Sequence, residues 1–383
     1  MKPKCWKSKI ISIITITSFS IISNKLIIEN IPPVSAIVEQ TAIASAQLNL
    51  SNDDNLISCI KIEDNEPSQL SVNNSNEINK QPDVQPANNS NKQAKTDSGE
   101  APTVTFSEEE LNQFPDNNGP IIRKHYEAGS TEQYVNIGNS AYVRNMTKLP
   151  NQVIIDANNS KPAFTLTKGS EPQVLIYHTH TTESYELKEK DYYAANFPIR
   201  SRNTNMSVVR VGDEITKCLQ QAGIGVIHDT TIHDDPAYKG SYDRSHQTMK
   251  KILEKYPSIK VALDIHRDAI ANDKGERYAP IANINGRNAS QIMIISGCDN
   301  GTMNYPNYTQ NLAFACLLQR QLGKDYPSLT RPASFKYKYY NQSLTPGTLL
   351  VEFGGHANSI NEAVYAGWLF GKSLANALAT IQN

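Results

Sequence analysis

From residue 170 onward, the chain alternates between two hydrophobic patterns. Short apolar runs predict buried strands, and longer stretches with an apolar residue every three or four positions predict amphipathic helices. The strands are expected at residues 174–177, 225–228, 259–265, 291–296, 335–340 and 348–353, and the helices at 207–222, 241–256, 311–322 and 359–381. Strands that alternate with helices are typical of α/β proteins, so we predict a mostly parallel central sheet with helices on both faces.

Residues 1–30 have the pattern of a secretory signal or membrane anchor. Lysines between Lys2 and Lys9 precede an apolar run from Ile10 to about Ile28. That run is marginal for a full span, which needs about 20 apolar residues. Small residues shortly after it would permit cleavage. We therefore expect the rest of the chain outside the cytoplasm, either held at the cell membrane by this single anchor or secreted after cleavage.

Three segments follow the anchor. Residues 31–104 are rich in Asn, Ser and Pro and nearly empty of aromatics, so they predict a disordered linker. Residues 105–169 regain a weak strand-like alternation and predict a small β-rich approach segment. Residues 170–383 are the predicted catalytic domain.

Composition excludes some classes of function. The formal net charge is −1 over 383 residues, which gives no electrostatic case for nucleic-acid binding. The five cysteines lack the paired spacing of a thiolate metal site, and their odd number argues against a disulfide framework.

Polarity changes abruptly where the first strand of the predicted catalytic domain ends. The apolar run 174–177 is followed within a few residues by His178, His180 and Glu183. The carboxyl ends of parallel strands converge on a crevice in which ligands bind. Imidazole and carboxylate at such an edge are donors that suit zinc. A His-x-His pattern alone is more typical of a polar loop. The prediction of a zinc site therefore depends on a further ligand at the end of a second strand.

His266 supplies that second strand end, because it directly follows the apolar run 259–265. A zinc hydrolase site needs three protein ligands and one open position for water. Two carboxylates are candidates for the third ligand. Glu183 lies in the first loop, and Glu214 borders the apolar face of the helix that follows. The residues alone leave this choice open.

Glu352 interrupts the apolar run of the last predicted strand. An unpaired carboxylate in a buried strand is costly, so it needs a partner or a function. Beside a metal it would be placed to take a proton from water. No Gly-x-Ser-x-Gly motif lies near these strand ends, which argues against a serine hydrolase.

Five blocks of the catalytic domain resemble stage II sporulation protein P, the engulfment peptidoglycan hydrolase family of endospore-forming bacteria. The blocks follow one another over roughly the whole domain and are Leu175–Tyr185, Val209–Glu214, Asp264–Ala269, Asn341–Gly347 and Val351–Asn358. An anchor followed by a linker also suits that family, whose members are held in the membrane facing the septal wall.

The resemblance implies a zinc N-acetylmuramoyl-L-alanine amidase with an amidase-like α/β fold. The implied Zn²⁺ ligands are His180, Glu214 and His266, and the implied catalytic residue is Glu352. The glycine-rich first loop of the wider amidase family is replaced here by Thr-His-Thr-Thr-Glu-Ser. This departure leaves His178 and Glu183 open as ligands or substrate contacts. Arg267, Asp268 and His356 in the other blocks are further candidates for such contacts.

The resemblance further implies peptidoglycan as substrate, cross-link endopeptidase activity, and stage II sporulation proteins D and M as partners. The long loop after the first block, with Tyr192, Tyr193, Arg200 and Arg202, is expected to line a glycan groove. Two alternative functions stay open. One is a zinc peptidase that acts only on stem-peptide cross-links, and the other is a non-catalytic scaffold that binds peptidoglycan.

Overall fold

The computed structural model describes residues 101–115 and 117–383. The predicted membrane anchor, and the predicted linker up to residue 100, lie outside the described residues. Among the helices that the structure does describe, none has the length and apolar character needed to span a membrane.

The described residues form two mixed sheets and their covering helices. The strands are β1 Gly119–Lys124, β2 Tyr134–Gly138, β3 Ala141–Asn145, β4 Gly169–Tyr177, β5 Tyr192–Tyr193, β6 Ile224–His228, β7 Val261–Asp268, β8 Arg277–Ile284, β9 Arg287–Ser290, β10 Ile292–Cys298, β11 Ala333–Tyr337 and β12 Gly347–Gly355. The helices are α1 Glu108–Asn112, α2 Gln152–Asn159, α3 Val208–Gln221, α4 Ser241–Lys255, α5 Tyr308–Asp325 and α6 Ile360–Ala379, with a 3₁₀ turn at Thr204–Met206. Every strand and helix predicted beyond residue 170 has a counterpart here.

The larger sheet has eight strands in the order β2-β3-β11-β10-β12-β7-β4-β6. The predicted α/β class is confirmed, but the sheet is mixed, because β2 pairs antiparallel with β3 and β10 pairs antiparallel with β12. The four neighbours β12, β7, β4 and β6 are mutually parallel. Their carboxyl ends therefore meet at one edge.

Residues 105–169 contribute strands to both sheets. β3 pairs with β11 at the far side of the larger sheet. β1 pairs with β8 in a second sheet whose order is β5-β1-β8-β9. Strands from both sides of residue 170, the predicted start of the catalytic domain, therefore pair within the same sheets. The domain limits themselves stay a prediction.

Local capping fixes the helices that flank the sheet edge. α3 begins after Ser207, whose side chain accepts a hydrogen bond from the backbone N–H of Val209, and it ends before Gly223, which has the left-handed φ of 76°. α6 begins with a capping box between Ser359 and Glu362. The two helices pack closely because α6 presents glycines to α3.

The segment before β1 supports the long loop that follows β4. Phe106, Leu111 and Phe114 pack on an apolar cluster that includes Phe197 and Met206 of that loop. The rings of Phe114 and Phe197 meet edge to face at 5.1 Å. Because the loop leads from the first histidines back to α3, this packing stabilises one wall of the sheet edge.

Replacing Phe114 with Ala should lower the free energy of unfolding by about 1–3 kcal/mol, less than a fully buried Phe would lose, since the ring is only partly buried. Urea denaturation followed by circular dichroism measures this change. Glu109→Ala, on the exposed side of the same short helix, is the control and should change it by about 0.5 kcal/mol or less. Equal effects of the two substitutions would show that the segment does not support the loop.

Candidate active site

Three neighbouring strands deliver the candidate residues to one edge of the sheet. Tyr177 at the end of β4 is in register with Asp264 of β7, and His266 of β7 is in register with Glu352 of β12. Alternate residues of a strand share a face, so Asp264, His266 and Glu352 all project on the same side. The loop after Tyr177 continues over this edge.

His180 and His266 lie together in this crevice. Their ring centres are 5.2 Å apart and the ring planes are nearly perpendicular. The Nδ1 atom of His180 lies 3.3 Å from the hydroxyl of Ser241. Tyr238 stacks on the His180 imidazole with ring centres 4.5 Å apart. The imidazole of His180 is therefore held on two sides.

Two carboxylates flank His266. Its Nδ1 atom lies 3.4 Å from Glu183 Oε2, and its Nε2 atom lies 2.8 Å from Asp264 Oδ1. The second contact is close but not aligned as a hydrogen bond, so Nε2 is a buried polar atom without a hydrogen-bond partner. Thr179 binds Asp264 through its backbone N–H at 2.7 Å and its hydroxyl at 2.6 Å.

The protonation of these groups follows from burial and from the facing charges. Burial opposes a charge on His266, but Asp264 and Glu183 outweigh it and hold the pKa of His266 well above its usual value. Burial, reinforced by Asp268, raises the pKa of Glu352 to about 8. Burial lowers the pKa of His180 to about 3, so this imidazole is neutral. Neutral imidazole is the form that binds metals.

The donor set fits zinc. Two imidazoles bound to one tetrahedral zinc ion have ring centres about 5 Å apart, which is close to the spacing observed here. The protons on His266 and Glu352 supply positive charge that a divalent cation would supply instead. Within the described residues no three His, Cys, Asp or Glu side chains form a preformed metal site. The fit is thus one of donor chemistry and ring spacing, and Glu183 is a carboxylate that faces His266.

Glu214, the carboxylate favoured by the family resemblance, contacts an arginine of its own helix. Gly212 faces the His178 and His228 imidazoles. Two residues further along an α-helix the direction has turned by about 200°, so Glu214 points away from them. Its Oε1 atom contacts Arg210 at 3.4 Å. Glu183 is thus the carboxylate with a described contact to His266, and the choice between Glu183 and Glu214 as ligand stays a prediction.

His178 has other partners. Its Nδ1 atom is bonded to the carbonyl of Ile265 at 3.0 Å, and its Nε2 atom lies 2.9 Å from Nε2 of His228. Burial lowers the pKa of His178 to about 3. His233 binds the carbonyl of His178 at 2.8 Å. The contacts of His178 therefore link β4, β6 and β7 beneath the site.

Arg267, Asp268 and His356 connect the loops around the crevice. The Arg267 guanidinium donates to the carbonyls of Ser184 at 3.0 Å and Ile199 at 2.6 Å. Asp268 Oδ2 accepts from the buried Arg331 at 2.9 Å. The backbone N–H of His356 donates to the carbonyl of Asp268 at 2.9 Å. These contacts fix the backbone, and Nδ1 of His356 is buried without a hydrogen-bond partner.

The four residues expected to line a glycan groove have partners within the protein, and their role towards glycan stays a prediction. Tyr192 and Tyr193 form β5, which pairs with β1 in the second sheet. Arg202 forms an exposed ion pair with Asp235. Arg200 alone of the four contacts a candidate ligand, at 3.6 Å from Glu183 Oε1.

Sequence reasoning missed the tyrosines that do contact the site. Tyr238 stacks on His180, and Tyr242 meets it edge to face at 5.6 Å. Tyr242 lies in the first turn of α4, whereas Tyr238 precedes that helix, so no local periodicity aligned the two rings. The buried Arg331 was also missed, because it follows no recognisable motif.

Comparisons with known proteins identify relatives of the chain. A family model described as stage II sporulation protein P matches residues 34–378. "Stage II sporulation protein P" of Bacillus subtilis (strain 168) is 30% identical over 235 residues, which cover 57% of this chain and 54% of that protein. The match thus spans about half the length of this curated relative.

Solved structures show weaker likeness. The N-acetylmuramoyl-L-alanine amidase AmiC2 of Nostoc punctiforme is 12% identical, with 55% of this chain and 97% of that chain covered and a TM-score of 0.32. The CwlD amidase from Clostridioides difficile in complex with the GerS lipoprotein is 11% identical, with 54% and 99% covered and a TM-score of 0.32. TM-scores this low establish no common fold, and the site rests on its own geometry.

The choice between the two carboxylates can be tested by zinc binding. Glu183→Gln should weaken zinc affinity by about 100-fold or more, because it removes a charged donor beside His266. Glu214→Gln is the matched control and should stay within about threefold of the unsubstituted protein. Competition with a chromophoric chelator measures both, and melting temperatures of the metal-free proteins detect misfolding. The reverse order of effects would restore Glu214 as the ligand.

Proposed function

Since the chain belongs to the stage II sporulation protein P family, we propose that it is a peptidoglycan hydrolase of sporulation that cleaves the amide bond between N-acetylmuramic acid and L-alanine. The observation that supports this reaction is the meeting of Glu352 with His180, Glu183 and His266 at one sheet edge. Imidazole and carboxylate donors beside a buried carboxylate are the groups that metal-assisted amide hydrolysis requires.

The proposed cofactor is zinc, held by His180, Glu183 and His266. When bound, zinc would polarise the scissile carbonyl and lower the pKa of water. The chain's own contribution is to orient the donors. Asp264 faces Nε2 of His266, and the backbone N–H of Arg267 donates to Glu183 Oε2 at 3.0 Å. Such contacts around the donors set their orientation and basicity.

Glu352 is the proposed general base and general acid. Its Oε2 atom is buried without a hydrogen-bond partner, so it is available to accept a proton. A nearby cation favours the ionised carboxylate, which is the form that can take a proton from the attacking water. The same carboxyl group then protonates the leaving amine of L-alanine as the bond breaks.

Location and partners follow from the family as proposals. The protein would act on the septal wall from the outer face of the cell membrane, with residues 1–30 as its anchor. Stage II sporulation proteins D and M are its proposed partners. Cross-link endopeptidase activity is a further proposal. A peptidase limited to cross-links would differ from an amidase in its products, and a non-catalytic scaffold would form none.

Glu352→Gln should lower the turnover of purified peptidoglycan by about 10²–10⁴-fold, because it removes the proton acceptor while the zinc donors remain. Mass spectrometry of the soluble products measures this loss. The unsubstituted protein should release whole stem peptides and leave bare glycan strands. His180→Ala or added chelator should abolish the release as well, but Glu352→Gln alone should keep its zinc.

Three results would contradict the proposal in different ways. Release of whole peptides that persists in Glu352→Gln would exclude the proposed base. Products that contain new amines but no free stem peptide would establish the cross-link peptidase. Peptidoglycan binding that survives Glu352→Gln, without products from any variant, would favour the scaffold.

A further inference from the structure

Arg200 contacts two loops at once at the rim of the candidate site. Its Nη1 atom lies 2.7 Å from Asp234 Oδ2, and its Nη2 atom lies 3.6 Å from Glu183 Oε1. Asp234 is fully buried and also accepts hydrogen bonds from the N–H and the hydroxyl of Thr182. Arg200 therefore joins the loop that contains Glu183 to the loop that contains Asp234.

A second contact connects Arg200 to His180. The guanidinium carbon lies 4.6 Å from the ring centre of Tyr238, within the range of a cation–π interaction. Tyr238 in turn stacks on His180, with ring planes only 15° apart. Arg200 thus reaches both proposed zinc donors of the first loop, Glu183 directly and His180 through Tyr238.

Arg202 provides a contrast on the same loop. Its side chain is 66% exposed, whereas that of Arg200 is 35% exposed. Arg202 pairs with Asp235, and both ends of this ion pair are accessible to solvent. Exposed ion pairs contribute little to stability. A lysine cannot replace a planar guanidinium that both stacks on an aromatic ring and forms an ion pair.

We propose that Arg200 is a positioning residue that holds His180 and Glu183 in the arrangement that binds zinc. This rests on the proposed function, since it assumes that these two side chains are metal donors. Arg200 acts on His180 by fixing the Tyr238 ring against the imidazole. It acts on Glu183 by orienting the carboxylate that faces His266. It needs no contact with substrate.

The test compares Arg200→Ala, Arg200→Lys, Tyr238→Ala, Tyr238→Phe and the control Arg202→Ala in the full-length protein. Without metal, amide hydrogen exchange of residues 178–184 should be faster in Arg200→Ala than in Arg202→Ala. Zinc affinity, measured with a chelator, should fall by about 10–100-fold in Arg200→Ala and Tyr238→Ala. Tyr238→Phe keeps the ring and should retain the zinc affinity of the unsubstituted protein. Arg200→Lys keeps only the charge and should retain that affinity in part.

Steady-state kinetics separate positioning from substrate binding. A positioning role predicts that kcat falls in Arg200→Ala while KM stays nearly constant. A raised KM with unchanged kcat and zinc affinity would assign Arg200 to substrate binding and overturn the proposal. Identical hydrogen exchange in Arg200→Ala and Arg202→Ala would overturn it as well. If the unsubstituted protein binds no zinc, the proposed function fails, and the exchange data still decide whether Arg200 orders the loop.

Discussion

The ionic contact of His266 with Asp264 and Glu183 is the interaction on which the site depends. Removing a carboxylate from water costs several kcal/mol unless an opposite charge compensates. Both carboxylates are almost fully buried, and both face the same imidazole. Positive charge at this point therefore stabilises the local fold. A protonated His266 provides it without metal, and a divalent cation would provide it with neutral histidine.

The support for Asp264 extends well beyond the strand that contains it. The Thr179 hydroxyl donates to Asp264 and also lies 2.8 Å from Ser245 Oγ. The side-chain amide of Asn341 donates to Ser245 Oγ at 3.2 Å. Asn341 has a φ of 55°, a conformation that Asn adopts more readily than most residues. The Asn341–Gly347 block thus has a structural explanation, since it begins with a side chain that braces α4 and the first loop behind His266.

Strand periodicity predicted which positions share the sheet edge, whereas the roles of those residues stay a prediction. His180 and His266 follow apolar runs and Glu352 interrupts one, and the parallel strands β4, β7 and β12 bring these positions to one sheet edge. Sequence reasoning left the third donor open because the direction of Glu214 depends on how α3 rotates about its axis against the sheet. That rotation follows from packing on α6, which no local pattern encodes. The β8–β9 hairpin was missed despite its Asn285-Gly286 turn, a recognised hairpin signal.

Arginines offset only part of the buried negative charge around the proposed site. Arg200 pairs with Asp234 and Arg331 pairs with Asp268, whereas Arg267 binds Glu183 only through its backbone N–H. Asp264 then has the imidazole of His266 as its basic partner, and burial raises the pKa of Glu352 to about 8. Without metal, their charge is offset by protons on His266 and Glu352. In the proposed mechanism, a bound divalent cation would supply this positive charge, so that His266 would be a neutral donor and Glu352 an ionised carboxylate, the state that a general base requires.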